Sequence, residues 1–390
     1  MSTYYIDAKT GNDSNNGTFE NPFKTIKKFS NIAIAGDNCY IREGTYRESF
    51  KPQNSGQENS PITYESYQNE KVILSGTKII EGNWTELNNG IYSIRLNPNE
   101  IEDLGIGQNQ LFFNNEMMIE SRFPKINNAV NLQRENHLIS LSGDFIGEFE
   151  DTEKSGIVKT LAYYEASELN DFPEDYFNNS YISFVPGHEW WGNTGKIVKS
   201  KPGRIELEFT LSEGQARLGK PSKDNPLYIW GNYNLLNSEK ECFFDNKNHT
   251  LYLKPPGDIK NGTIEFKQIT TILHLSDCSY LDFKNIEIFP GMIAFNNFSH
   301  YNTLDNILSL HGSYDFGING WTTIPSIYLH GSHNKVINST IKNSSGPILI
   351  HGHYYIVENN VIHDISYSSK SLSGINVKNS HNIIFNCGGK

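Results

Sequence analysis

The chain has 390 residues, of which 33 are basic and 44 acidic, for a formal charge of −11. An acidic chain repels a phosphate backbone, so nucleic acid is excluded as the expected partner, and no apolar run reaches the ~18 residues of a membrane span. The length allows a large core or two domains, and 12% aromatic residues supply burial.

The start, "MSTYYIDAKTG", has no basic region followed by an apolar stretch. The sequence as written therefore reads as intracellular, or as secreted if a leader is missing. Cys39, Cys242, Cys278 and Cys387 are far apart and form no CxxC pair. Neither a zinc site nor a disulfide framework is indicated, and no metal or cofactor is expected.

The first structured stretch, "NPFKTIKKFSNIAIAGDNCYIREGTYRE", predicts a helix followed by strands. Phe23, Ile26, Phe29 and Ile32 keep a three-residue spacing, and Pro22 suits a first helical turn. "PITYESY" and "KVILSGTKI" supply further strands. With "YYIDAKTGNDSNNGTFENPFKTI", these segments resemble the opening of bacterial right-handed parallel β-helix carbohydrate-active proteins, the β-xylosidases of that fold and several polysaccharide lyases. The resemblance runs over roughly residues 4–80 and implies a solenoid whose open end is covered by the N-terminal helix.

The middle breaks this rhythm. It contains "NQLFFNNEMMIESRFPK", "ISFVPGHEWWGNTGKIV" and "CFFDNKNHTLYLKPPGD". Ser121–Arg122–Phe123–Pro124 and Thr250–Leu251–Tyr252–Leu253 resemble segments of a β-rich module inserted in β-helix proteins related to α-fucosidases and xylanases. Trp190 and Trp191 invite a sugar-stacking role. Neighbours on a strand point to opposite sides, however, so core packing is expected for at least one of them. "GTIEFKQ" then re-enters the solenoid. The expected division is residues 1–82 for the cap and first coils, 83–261 for the inserted module and 262–390 for further coils.

The last third repeats. "ILHLSDCSYLDFKNIEI" from Ile272, "IYLHGSHNKVINSTI" from Ile327, "ILIHGHYYIVENNVI" from Ile348 and "INVKNSHNIIFNC" from Ile375 align without gaps. The alignment stacks Leu281, Val336, Val357 and Ile384, then Ile286, Ile341 and Ile362. Ile348 follows Ile327 by 21 residues, the length of a coil with three short strands. The fold class expected is all-β, a right-handed parallel β-helix solenoid whose last coil stops part-way. Asn338, Asn359 and Asn386 fall at one level, as does Asn306 if a weaker coil starts at Phe295. A buried asparagine ladder, each amide donating to the next, would satisfy these side chains in the core.

Insertions in a repeat map to one face, often the binding face. Extra residues follow the third strand of two coils; one loop carries His311, Asp315 and Trp321, the other His363, Asp364 and Tyr367. His330, His351 and Lys378 start the next strands and point outward by alternation. A solvated sheet face with ordinary turns would show the same residue types.

Glycosidases commonly use two carboxyl groups, and Asp315 and Asp364 are the best local pair, about 10 Å apart across two coils. A lyase would instead need a base such as Lys378 or His351, with a cation beside the uronate. The expected substrate is a polysaccharide or oligosaccharide, cleaved by a glycoside hydrolase. A lyase acting on a uronate polymer and a non-catalytic glycan-binding solenoid are the alternatives.

Overall fold

The computed structural model describes residues 1–105, 107–127, 136–147, 157–187, 192–212, 219–314, 324–346, 348–365 and 383–387. The architecture is all-β. Three sheets are built from parallel strands; in the others the strands pair antiparallel, except for Ile119–Glu120, which runs parallel to Glu241–Asp245.

The N-terminal helix, Ile26–Ile32, starts later than the spacing predicts. Thr25 caps it, its Oγ1 accepting from the Lys28 N–H at 3.1 Å. The Glu48 carboxylate accepts from the Ile26 and Lys27 N–H groups, both at 2.9 Å. Phe23 precedes the helix and bridges Ile6 as extended chain. Ile32 faces water, so the buried stripe is Ile26 and Phe29, with Phe29 edge-on to Tyr64 at 5.1 Å.

The first parallel sheet takes Thr3–Ile6, Asn38–Ile41, Ile62–Ser66, Leu281–Lys284, Thr303–Asp305, Lys335–Ile337 and Ile356–Glu358. The second takes Gly44–Tyr46, Val72–Ser75, Glu287–Phe289, Leu308–Leu310, Thr340–Ser344, Val361–Ile365 and Ile383–Cys387. The third takes Thr271–His274, Met292–Ala294, Ile327–Ser332 and Ile348–His353. From Thr271 to Ile365 the chain visits third, first and second sheets in turn. Registers place Phe283, Leu304, Val336 and Val357 in one buried row and Ile288, Ser309, Ile341 and Ile362 in another. Each large aliphatic or aromatic side chain buried this way contributes about 1.5–3 kcal/mol.

The gapless alignment holds for the coils starting at Ile327 and Ile348, which pair residue for residue. It fails for the other segments. Leu273 and Ile293, not Ile272 and Phe295, stand at the level of Ile327. Phe283 and Ile288 replace Leu281 and Ile286, because the register shifts within Thr271–Leu273 and the following turn is longer. Ile384 pairs with Ile362 in the second sheet rather than standing over Val357, so Asn386 leaves the asparagine row.

The asparagines are not in the core. Asn338 and Asn359 are exposed, at the turn from first to second sheet. Asn285, Asn306, Asn338 and Asn359 all have φ between 52° and 60°. Asparagine tolerates this left-handed backbone better than most residues, which explains the recurrence. Their amides do touch: Asn306 Nδ2 donates to Asn285 Oδ1 at 2.8 Å and Asn359 Nδ2 to Asn338 Oδ1 at 3.3 Å. The buried amides are others. Asn302 Nδ2 donates to Asn334 Oδ1 at 3.0 Å, and Asn360 Nδ2 to the Val336 carbonyl at 2.9 Å.

The stretch between Ser75 and Thr271 forms mainly antiparallel sheets. Ile264–Lys267 belongs to them, pairing with Leu111–Phe113 and Thr77–Ile79, so "GTIEFKQ" does not yet rejoin the parallel sheets. The largest antiparallel sheet encloses Ile182, Phe184, Ile197, Leu207, Leu227 and Ile229. A smaller cluster crosses the seam, joining Phe112, Met117, Tyr228 and Trp230 of the inserted stretch to Phe289 and Tyr314.

Candidate functional site

The strands of the second sheet end in a bend that repeats from coil to coil. His311, Asn343 and Asp364 follow Leu310, Lys342 and His363, which occupy matching positions. All three have left-handed backbones, with φ of 52°, 57° and 51°. The His311 N–H donates to the Lys342 carbonyl at 3.3 Å, tying adjacent levels together. Side chains in sparsely populated backbone regions persist where the surroundings impose them, and such positions concentrate at functional sites.

At the top of this column the His363 Nδ1 and Asp364 Oδ2 are 2.6 Å apart. Both side chains keep some exposure, 17% for His363 and 23% for Asp364. Lys342 is the in-register neighbour of His363 on the adjacent strand.

His311 is different in kind. It is buried, edge-on to Phe112 at 5.2 Å and to Phe289 at 5.8 Å. Burial, with the Lys267 and Lys342 charges, pushes its imidazole down to about 3. The imidazole is thus buried against aromatic rings, where its loop position predicts a sugar contact.

In the third sheet His330 and His351 pair in register, their ring centroids 5.9 Å apart. Tyr328 lies 5.9 Å from the first and 5.6 Å from the second. His351 is exposed and His330 partly so, giving the outward row that alternation predicts. Asp315, Trp321, Tyr367, Lys378, Trp190 and Trp191 lie outside the described residues.

Sequence reasoning missed a group of ionisable residues at the seam. Lys267 is buried with its Nζ 2.9 Å from Gln110 Oε1, and burial pushes it down to about 7. Arg122 is buried with its guanidinium 3.9 Å from the Tyr228 ring centroid. Burial and the Glu241 and Asp103 carboxylates push Glu120 up to about 8. The resemblance around Ser121–Pro124 flagged the neighbourhood, but the contacts that matter are long-range. Among the described residues no three His, Cys, Asp or Glu side chains gather as a metal site.

No family model matches the chain. Over 76 residues it is 42% identical to the uncharacterized protein YwoF of Bacillus subtilis, a stretch that is 20% of this chain and 16% of that protein. The structure is similar to one described as a glycoside hydrolase, with a TM-score of 0.68 and 12% identity, over 94% of this chain and 74% of that one. A weaker likeness, with a TM-score of 0.47 and 14% identity, is to XylC in complex with xylose, over 99% of this chain and 62% of that one. At 12% identity the first likeness is one of fold.

Proposed function

We propose that the three parallel sheets are the faces of a right-handed parallel β-helix interrupted by a β-rich module over residues 83–261, and that the chain hydrolyses a polysaccharide or oligosaccharide. The observation that carries this is the His363–Asp364 pair, 2.6 Å apart at a left-handed bend that ends a strand of the second sheet. A carboxylate oriented by an imidazole at the end of a strand is suited to accept a proton from water attacking an anomeric carbon. The fold shared with a structure described as a glycoside hydrolase supports the reaction class.

In this reading the Tyr328, His330 and His351 rings form a wall for sugar, presenting aromatic faces together with hydrogen-bonding edges. Trp321, Tyr367, Trp190 and Trp191 are proposed as further sugar contacts, and Lys378 as the next member of the His330–His351 row. The test is incubation with a panel of neutral and uronate polysaccharides, measuring reducing ends and the ultraviolet absorbance of unsaturated products. Reducing ends without absorbance are expected. Absorbance would replace hydrolysis with elimination, and glycan retention without either product would leave a binding protein.

A further inference from the structure

A row of aromatic side chains stands at the turn from the third sheet to the first. Ser279, His300 and Ser332 bridge one another as parallel neighbours, and Ser332 pairs with His353. The residues that follow them are Tyr280, Tyr301, His333 and Tyr354. Their rings stack from coil to coil, with centroids 4.9, 4.6 and 4.9 Å apart and 3°, 16° and 22° between planes. All four backbones are left-handed, with φ from 57° to 59°. The turn itself does not call for rings. At the next turn the fold meets the same backbone with Asn285, Asn306, Asn338 and Asn359, a residue type that tolerates it better than tyrosine. Packing of ring on ring accounts for the faces inside the stack. It still leaves Tyr301 44% and Tyr354 76% exposed, with Phe298 exposed three residues before Tyr301. Exposed aromatic groups gathered in one place mark a binding surface.

The row continues the face that carries Tyr328, His330 and His351. Tyr328 and His330 lie on the strand that runs on to His333, and His351 on the strand that runs on to Tyr354. These two strands pair residue for residue. Exposed His353 ends the second strand, its ring 6.3 Å from Tyr354. The step from Tyr328 to His333 is five residues, a span of up to about 16 Å along a strand, which calls for several sugar units in a row. The tyrosine and histidine rings set hydroxyl and imidazole edges beside flat apolar faces, which suits a sugar ring with its hydroxyls and apolar C–H face. Stacking also holds the rings in place before a ligand arrives, so little side-chain freedom remains to be lost.

We propose that the Tyr280–Tyr301–His333–Tyr354 ladder is a distal subsite for a polysaccharide that crosses the third sheet from the Tyr328–His330–His351 wall, so that the substrate is a long chain rather than a short oligosaccharide. The choice of substrate rests on the glycosidase reading, whereas the holding of a glycan by the ladder does not.

Two measurements test it. In native gels cast with soluble xylan, mannan, β-glucan or polygalacturonate, wild type is expected to be retarded by at least one polymer, and Tyr354→Ala to be retarded less. On oligosaccharides of graded length cut from the polymer that wild type cleaves, kcat/KM is expected to rise with length. Tyr354→Ala and Tyr301→Ala are expected to lose roughly three- to tenfold on the longest and to stay within about twofold of wild type on the shortest. Tyr354→Phe keeps the ring and should match wild type in both measurements. Tyr233→Ala removes an exposed ring from the inserted stretch and should change neither. Equal losses at every length, no loss on the longest, or the same signature in Tyr233→Ala would overturn the subsite. Wild type retarded by no polymer would overturn it as well. Retardation that Tyr354→Ala weakens, with no polymer cleaved, would keep the ladder and defeat the glycosidase reading instead. Thermal melting of each variant separates lost binding from lost folding: an unfolded Tyr354→Ala would show a structural ring and count against the subsite.

Discussion

Ile62 and Leu281 are in-register neighbours in one parallel sheet, although the whole inserted stretch separates them in the chain. The same junction pairs Leu74 with Ile288 in the second sheet. One buried apolar cluster therefore extends from the N-terminal helix to Ile365, joining the segments that precede and follow the stretch between Ser75 and Thr271.

That continuity makes Phe283 a sensitive position. Its ring stacks on Tyr64 at 4.5 Å with 10° between planes, joining the segments before and after the module. Phe283→Ala is expected to cost about 3–5 kcal/mol, read as a lower urea midpoint.

The two kinds of asparagine separate in the same measurement. Asn334 is buried and its Oδ1 accepts from the Asn302 N–H and Nδ2, at 2.9 and 3.0 Å. Asn334→Ala leaves the Asn302 N–H without that acceptor and the Asn302 amide with the Cys278 carbonyl alone, and is expected to cost about 1–3 kcal/mol. Asn338→Gly keeps the left-handed bend at an exposed site and is expected to stay within about 0.5 kcal/mol of wild type.

Stability should depend on pH through two seam residues, with opposite signs. Glu120 is raised from its ordinary 4.5 to about 8, so the folded chain holds an extra proton between those values. Stability then falls as pH rises through the window. Glu120→Gln should melt like wild type near pH 4 and at a higher temperature at pH 8. Lys267 is lowered from 10.5 to about 7, so the folded chain binds fewer protons in that interval and stability rises with pH. Lys267→Met should gain more at pH 6 than at pH 10. Melting curves of both variants across pH 4 to 10 check the signs.

The repeat was legible because Ile327 and Ile348 begin coils of equal length, so spacing alone aligned them. Outward His330 and His351 followed from alternation. Leu273 and Phe283 were misplaced because a register shift and a longer turn move a row by one or two residues, which a gapless comparison absorbs silently. Asn359 was assigned to the core for its apolar neighbours, when its recurrence reflects a backbone bend. The seam was harder still. Glu120, Lys267 and Tyr314 are distant in sequence, and nothing local to "MMIES" or "IEFKQ" says that each lies where the module meets the parallel sheets.

The direct test of the central claim is the rate of Asp364→Asn on the glycan that wild type cleaves. Asparagine accepts the same left-handed backbone, so the bend and the melting temperature should survive. The account predicts a loss of about a hundredfold or more with glycan binding retained. Unchanged turnover would show that the column ending in Asp364 is a structural bend, and the site would have to be sought elsewhere.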